Sequence, residues 1–390
     1  MSRGDARRVS LATIAIEWGR IGVTGFGGPP AHIALLRRLC VEREGWLSAG
    51  EFEDGIAATG LLPGPASTQL AIYCAWRLSG PAGALVGALC FIGPGLLVIL
   101  GLSALFLEAR PPLLVTGAAA GAGAAVPAVA LSAAAGLMPA SRRRAGDAGR
   151  WRWGCYLAAG AVASAAIGPW LVAVIGACGF AEVLRRSRQG RPKRPKRRPH
   201  WSVLALPSAV GTAGGGGLLA LAWVAFKVGA LSYGGGFVII PLMQHDAVVT
   251  YHWMTGTQFL GAVALGQLTP GPVVLTVAVV GYAAAGLVGG LLAALIAFAP
   301  SFLFILFGAP HFGRLRASTR VQGFLDGAGP AAIGGIAGAS VPLGLALDHA
   351  WQVVVLALAG LWLLVARRGV VSALSGAAGL GVLAVLLGWQ

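Results

Sequence analysis

Apolar residues run through this chain in long blocks separated by short polar joints. The stretches 82–107, 112–138, 287–309 and 370–388 are almost wholly apolar. Each approaches or exceeds the roughly 20 residues that a membrane-spanning helix needs. Lipid offers the backbone no water to bond, so such stretches are satisfied there as helices. A β-barrel would show short alternating strands, and no such alternation occurs. The pattern predicts an all-α polytopic membrane protein. At about 30–35 residues per crossing and its loop, there is room for about 10–13 crossings.

The predicted helices are interrupted, and the interruptions come twice. Gly25-Phe26-Gly27-Gly28-Pro29-Pro30 and Leu62-Pro63-Gly64-Pro65 cannot continue a regular helix. Proline lacks an amide donor, and glycine admits left-handed turns. Displaced by 207 residues stand Tyr233-Gly234-Gly235-Gly236 and Thr269-Pro270-Gly271-Pro272. Trp46 and Phe52, which lie between the first two breaks, return as Trp253 and Phe259. With one residue dropped, the match continues: Gly80 with Gly286, Pro94 with Pro300, Gly121 with Gly327. Gly, Pro and aromatic residues dominate the match, so what is copied is a backbone geometry. The chain divides into two homologous halves, 1–184 and 201–390, joined by a linker at 185–200.

Charge refines this picture. Only 11% of residues are charged and the mean hydropathy is +0.78; a soluble domain carries roughly 25% charged residues. The net charge of +16 is concentrated, because residues 185–200 hold 9 of the 29 basic side chains and no acid. With Pro192, Pro195 and Pro199, that segment reads as extended and cytoplasmic, held at anionic headgroups and not at nucleic acid. Basic clusters also orient the halves. Arg142, Arg143 and Arg144 have no basic counterpart near Asp348, and Arg367 and Arg368 have none around Gly168. If basic loops stay inside, equivalent loops lie on opposite sides, which makes an inverted repeat. Inversion needs an odd number of crossings between equivalent points, and 201–217 is the stretch available for the extra one. The segment following Arg3, Arg7 and Arg8 shows no cleavage site and reads as an uncleaved first membrane segment, which either crosses or re-enters at the Phe-Gly-Gly break. Cys40, Cys74, Cys90, Cys155 and Cys178 lack metal-like spacing and read as small buried apolar residues. Neither a metal nor a cofactor is expected.

Irregular backbone at membrane depth is tolerated where it lines a cavity or is buried in protein. A packing kink explains one break; two different breaks, both duplicated, point to function. After each Pro-Gly-Pro a helix should start, at Ala66-Ser67-Thr68-Gln69 and at Val273-Val274-Leu275-Thr276. Its free amides and positive dipole end suit an anion. The candidate substrate-binding residues are Gly27, Gly28, Pro63, Gly64, Pro65, Ser67 and Thr68 in the first half. In the second they are Gly234, Gly235, Gln267, Pro270, Gly271 and Pro272. Two cations join them. Lys227 is the one lysine outside the linker, and the repeat places it on Arg20. A cation within the membrane costs roughly 3 kcal/mol on insertion scales, so such residues mark pathways or paired sites. The two would balance a dianion; alternatively they snorkel, or Arg20 pairs with Glu17. Gln69 and Thr269 also adjoin the breaks, where they either bond substrate oxygens or satisfy freed carbonyls. His32 and His245 are candidate pH-responsive residues, and Asp326 is either a titrating group or part of a loop. No His-Glu-x-x-His, no paired carboxylates on a helix face and no partnered nucleophile occur. An enzyme is therefore not expected, and no catalytic residue is named. A scaffold or receptor would not need duplicated breaks.

Phe26-Gly27-Gly28-Pro29, Val41-Glu42-Arg43, Trp46-Leu47 and Leu61-Leu62-Pro63-Gly64-Pro65-Ala66-Ser67 form one set of motifs. Tyr233-Gly234-Gly235-Gly236, Gln267-Leu268-Thr269-Pro270-Gly271-Pro272 and Gly281-Tyr282 form the second. Together they resemble the chromate ion transporter family over essentially the whole chain, in its long two-domain form. The resemblance implies secondary active export of chromate across a bacterial inner membrane, driven by the proton-motive force and conferring chromate resistance. Sulfate or another oxyanion, taken up or exchanged, is the alternative. The family's basic residue before the Gly-Gly falls on Arg20 and Lys227. The expected partners are an oxyanion substrate and the lipid bilayer, with a homodimer left open. One departure is visible: Glu42-Arg43 has no counterpart at Val249-Thr250, so an acid–base pair there can act only in the first half.

Overall fold

The computed structural model describes residues 9–60, 62–108, 111–167, 171–189, 217–232 and 236–389, and every element in them is helical. The first half comprises α1 (Leu11–Thr24), α2 (Pro29–Arg37), α3 (Ala49–Thr59), α4 (Ala66–Phe106), α5 (Leu113–Ala145), α6 (Arg150–Val162) and α7 (Leu171–Gln189). The second comprises α8 (Leu218–Leu231), α9 (Ile240–Gln244), α10 (Gly256–Leu268), α11 (Thr276–Gly308), a short α12 (Phe312–Ala317), α13 (Thr319–Leu345), α14 (Ala350–Gly360) and α15 (Val370–Leu386).

The repeat extends to fine backbone detail. α2 and α9 both run into π turns, Arg38–Arg43 and His245–Thr250. α6 and α14 do the same at Ala163–Ile167 and Leu361–Val365. α3 opens with a capping box of Ser48 and Glu51, and α10 with one of Thr255 and Gln258. α4 and α11 bend at equivalent places, with Gly80 at φ 65, ψ −154 and Gly286 at φ 61, ψ −154. Only glycine takes that backbone without a steric penalty, which explains why the sequence keeps glycine at both bends.

Length and apolar composition mark the candidate crossings. Among the described residues, four stretches are long and apolar enough to span a membrane: Ala66–Phe106, Leu113–Ala145, Val273–Gly308 and Thr319–Leu345. The helices before the breaks are shorter. α1, with 14 residues, rises about 21 Å against a hydrocarbon core of about 30 Å.

The halves interlock. α5 of the first half packs against α14 and α15, while α13 of the second packs against α6 and α7. α4 and α11 lie against each other. Gly121 meets the backbone of Ala377, and its counterpart Gly327 meets the backbone of Cys178. Small residues let helix backbones approach this closely, which is how helices associate where lipid removes the hydrophobic drive. Because these contacts return with the halves exchanged, the copies follow a two-fold relation.

One pair departs from this symmetry. α10 lies on α5, with Leu260 and Gly261 against Gly123 and Gly261 against Phe106. Its counterpart α3 packs on α4, with Gly55 against Tyr73, and leaves Glu53 and Asp54 exposed.

Several sequence expectations need adjustment. The segment read as extended from residue 185 begins as helix, because α7 continues to Gln189. Glu182 is the reason: its carboxylate takes bonds from Arg185 at 2.5 Å and Arg186 at 3.4 Å, and the helix-stopping prolines begin only at Pro192. Asp326 lies inside α13, paired with Arg186, and not in a loop. Cys40, Cys74 and Cys178 are buried as expected, but Cys90 is only half-buried and Cys155 is exposed. The rest of the linker, and 201–216 of the stretch expected to supply an extra crossing, lie outside the described residues.

Candidate functional site

In a Pro-Gly-Pro tripeptide only the glycine has an amide to donate. In both halves that amide crosses to the other half. Gly64 N–H donates to the carbonyl of Ser232 at 2.5 Å, and Gly271 N–H donates to the carbonyl of Gly25 at 3.1 Å. Gly25 caps the end of α1, and Ser232 caps the end of α8. These carbonyls have no intrahelical donor and no water at membrane depth, so the crossed bonds satisfy both partners of each pair. The first-half breaks and the second Pro-Gly-Pro are thereby gathered at the contact between the halves, with Ser232 and Gly236 bounding the remaining one. Left-handed backbone makes the turns possible: Gly27, Gly28, Gly64, Gly236 and Gly271 all have φ between 72° and 120°.

Around this junction the two halves differ in chemistry. In the first, His32 is fully buried, with its Nε2 2.9 Å from the Gly25 carbonyl and its Nδ1 3.3 Å from the Ser67 hydroxyl. A carbonyl only accepts, so Nε2 carries the proton and donates. In the neutral ring Nδ1 then accepts from Ser67. Phe91 stands edge-on to this imidazole at 5.0 Å. Gln69 donates from Nε2 to the Pro63 carbonyl at 2.6 Å. Ser67, Thr68, Gln69 and, from α11, Ser301 are all buried. The Gly64 turn has room for no side chain, because Gln69 Nε2 and Ser301 Oγ occupy the space a Cβ would take. At the equivalent positions the second half has Ile239, Val274, Leu275 and Thr276, and Thr276 bonds back to the Val273 carbonyl at 2.8 Å. The counterpart of Ser301 is Gly95, which is pressed against the Pro270 backbone.

The basic residues singled out from sequence are paired. Lys227 Nζ lies 2.6 Å from the Asp246 carboxylate and 5.8 Å from the Trp223 ring centre, with the two charged side chains 17% and 9% exposed. Arg20 is 60% exposed and bonds Glu17 at 3.3 Å, the local pair that the sequence offered as its alternative role. Glu17 also holds Arg43 at 2.8 Å. Arg43 continues to Glu44, while Glu42 pairs with Arg37 and not with its neighbour Arg43.

The structure thus places Pro63, Gly64, Pro65, Ser67 and Thr68 at one crossed bond and Pro270, Gly271 and Pro272 at the other, with His32 bonded both to Ser67 and to the Gly25 carbonyl. It places Gly27 and Gly28 at the turn into α2, with Gly28 facing Val273. Gln267 is buried in the last turn of α10. Gly234 and Gly235 lie outside the described residues. Ser232 and Ser301 were not anticipated. Ser232 was legible in principle, since the repeat aligns it with Gly25; Ser301 carries no local signal, because it sits mid-helix and arrives only through the packing of α11.

Comparison with known proteins agrees with this architecture. The chromate transporter family model matches residues 12–182 and again 219–386, one match per half. The chain is 32% identical to a chromate transport protein of Cupriavidus metallidurans over 339 residues, covering 86% of this chain and 82% of that one. It is 29% identical to a probable chromate transport protein of Synechococcus elongatus, covering 86% and 85% of the two chains. It is 27% identical to a chromate transport protein of Pseudomonas aeruginosa, covering 90% and 91%. No solved structure matches the chain. The chain is a multi-pass membrane protein that belongs to the chromate transporter family, in two homologous halves.

Proposed function

We propose that this protein exports chromate from a bacterial cell across the inner membrane, drawing on the proton-motive force, and so confers chromate resistance. Family membership supports the chromate substrate. The single observation that carries the mechanism is the crossed pair of bonds from Gly64 to Ser232 and from Gly271 to Gly25. Broken helices that meet at a two-fold junction near the bilayer midplane are the arrangement in which one half rocks against the other around a fixed site. In this reading the two-fold axis lies in the membrane plane, the halves are inverted and 185–200 is cytoplasmic; the charge pattern of the loops supports it. The junction residues Gly27, Gly28, Pro63, Gly64, Pro65, Ser67, Thr68, Gln267, Pro270, Gly271 and Pro272 surround the place where the substrate passes. Arg20 and Lys227, already neutralised by Glu17 and Asp246, hold helix positions in this reading and do not touch the anion. An anion leaving a cell whose interior is electrically negative moves down the membrane potential, which supplies the drive.

The test is chromate uptake into energised inside-out vesicles, with and without a protonophore and with excess sulfate. Export predicts uptake that collapses with the protonophore. Uptake only in right-side-out vesicles would reverse the direction, and equal transport of sulfate would shift the substrate.

A further inference from the structure

The two Pro-Gly-Pro breaks share a backbone but not a lining. Seven buried side-chain N or O atoms lack a partner among the described residues, and four of them, on Thr68, Gln69, Ser232 and Ser301, flank the first break. α4 starts there as a regular helix from Ala66 with no side-chain cap. The amides of Ala66, Ser67 and Thr68 consequently have no intrahelical acceptor. At the second break the chain instead tightens into a 3₁₀ turn, Val273–Leu275, and Leu275 N–H is satisfied by the Pro272 carbonyl at 2.9 Å. Val273, Val274 and Leu275 then cover that helix start with buried apolar side chains. The first break has four unpartnered polar atoms around it; at the second, apolar side chains cover the helix start and one such atom, Gln267 Nε2, stands before the turn.

The lining at the first break is neutral, and one group in it has a definite polarity. Gln69 Nε2 is committed to the Pro63 carbonyl, which fixes the amide orientation and leaves Oε1 as a buried acceptor with no donor. The hydroxyls of Thr68 and Ser301 and the free amides of α4 are donors in want of acceptors. A fully deprotonated tetrahedral anion answers the donors but leaves Gln69 Oε1 facing like charge. An anion that keeps one proton answers both. Chromate and phosphate retain a proton near neutral pH, whereas sulfate does not.

We propose that the first break alone is the oxyanion site, and that it takes a singly protonated tetrahedral oxyanion. The O–H of the bound anion donates to Gln69 Oε1, while its other oxygens accept from Thr68, Ser301 and the first amides of α4. This rests on the oxyanion-transport reading and adds to it: the ligand itself carries the proton, sulfate is disfavoured, and one anion binds per chain. His32, facing the break from α2 through Ser67, is the titratable side chain there. On the elements around it, Glu17 and Arg20 of α1 pair with each other, Arg77 of α4 with Glu51, and Lys227 of α8 with Asp246; α11 contributes only Tyr282, and α10 no charged side chain.

The experiment is equilibrium binding of chromate to the full-length protein in nanodiscs from about pH 6 to pH 9, with sulfate and phosphate as competitors. Expected are one anion per chain, an apparent Kd that rises about tenfold per pH unit once the protonated fraction is falling, and competition by phosphate but not sulfate. His32→Gln should keep that slope, which assigns it to the ligand. Ser301→Ala and Thr68→Val should weaken binding about tenfold or more, and Thr276→Val, the same change made at the second break in the position that answers to Gln69, should not. A pH-independent Kd with effective sulfate competition, or two anions per chain, overturns the proposal. So does equal loss from Thr276→Val and Thr68→Val. Absence of any oxyanion binding by folded wild-type protein would instead overturn the transport reading beneath it.

Discussion

Lys227 and Asp246 join the first helix of the second half to its π turn, and Glu17 and Arg43 join the same two elements in the first half with the charges reversed. The acid has moved from the π turn to the helix, and the base the other way. Conservation of the tie with inversion of its polarity is what a structural latch requires, since either arrangement holds the elements together. Lys227→Met leaves Asp246 buried without a partner and should cost about 3 kcal/mol, read as a lowered melting temperature in detergent. The double variant Lys227→Met with Asp246→Leu should recover most of that stability. If chromate transport recovers with it, the latch account holds. Recovery of stability without transport would return Lys227 to the substrate.

The two Pro-Gly-Pro glycines should tolerate alanine unequally. Both have left-handed backbone, φ 120 at Gly64 and φ 101 at Gly271, so either change costs about 1–2 kcal/mol in strain. Gly64→Ala also drives its methyl into Gln69 and Ser301, with Ser301 Oγ 2.8 Å away, whereas at Gly271 the nearest atom is a Leu275 methyl at 3.3 Å. Gly64→Ala is therefore expected to abolish transport and lower stability further than Gly271→Ala. Thermal unfolding of the two variants side by side checks the order.

Close helix crossings hold the halves together, so bulk there should part them. Gly121→Leu on α5 puts a side chain into the backbone of α15, while Gly136→Leu on the same helix meets open space. Overpacking of this kind costs about 1–3 kcal/mol, occasionally more. When the two halves are co-expressed as separate chains, Gly121→Leu should reduce their co-purification and Gly136→Leu should not.

His32 spans the Gly25 carbonyl and Ser67 at the junction. His32→Phe keeps the ring contact with Phe91 but removes both hydrogen bonds, and an orphaned buried polar group costs about 1–3 kcal/mol. The Gly25 carbonyl retains Gly271, so the loss falls mainly on Ser67. His32→Gln retains one bonding end and should be the milder change. Chemical unfolding of both variants in detergent measures the difference.

The sequence disclosed the architecture better than the site. Repeated Gly and Pro residues showed the duplication, the breaks and the helix starts, because those residues dictate backbone angles whatever surrounds them. Ser48-x-x-Glu51 and Thr255-x-x-Gln258 were legible cap signals of the same local kind. Partnerships were harder to read. Lys227 looked like a free intramembrane cation because Asp246 lies 19 positions away, in a turn whose π geometry no local pattern announces. Ser301 reaches the first break from another half and another helix. The extended reading of 185–189 failed for a related reason: the basic composition was visible, but not that Glu182, one turn earlier, would draw Arg185 and Arg186 into the helix.

The crossed amide bonds have a consequence for how the chain is made. The first half leaves the ribosome before the acceptor of Gly64 N–H, the Ser232 carbonyl, and the second donor to the Gly25 carbonyl, Gly271 N–H, have been made. Until the second half is inserted, Gly64 N–H lacks its acceptor and the Gly25 carbonyl has only His32. Insertion and folding are thus separate events for this protein, and the junction closes only when synthesis of α10 and the turn after it is complete.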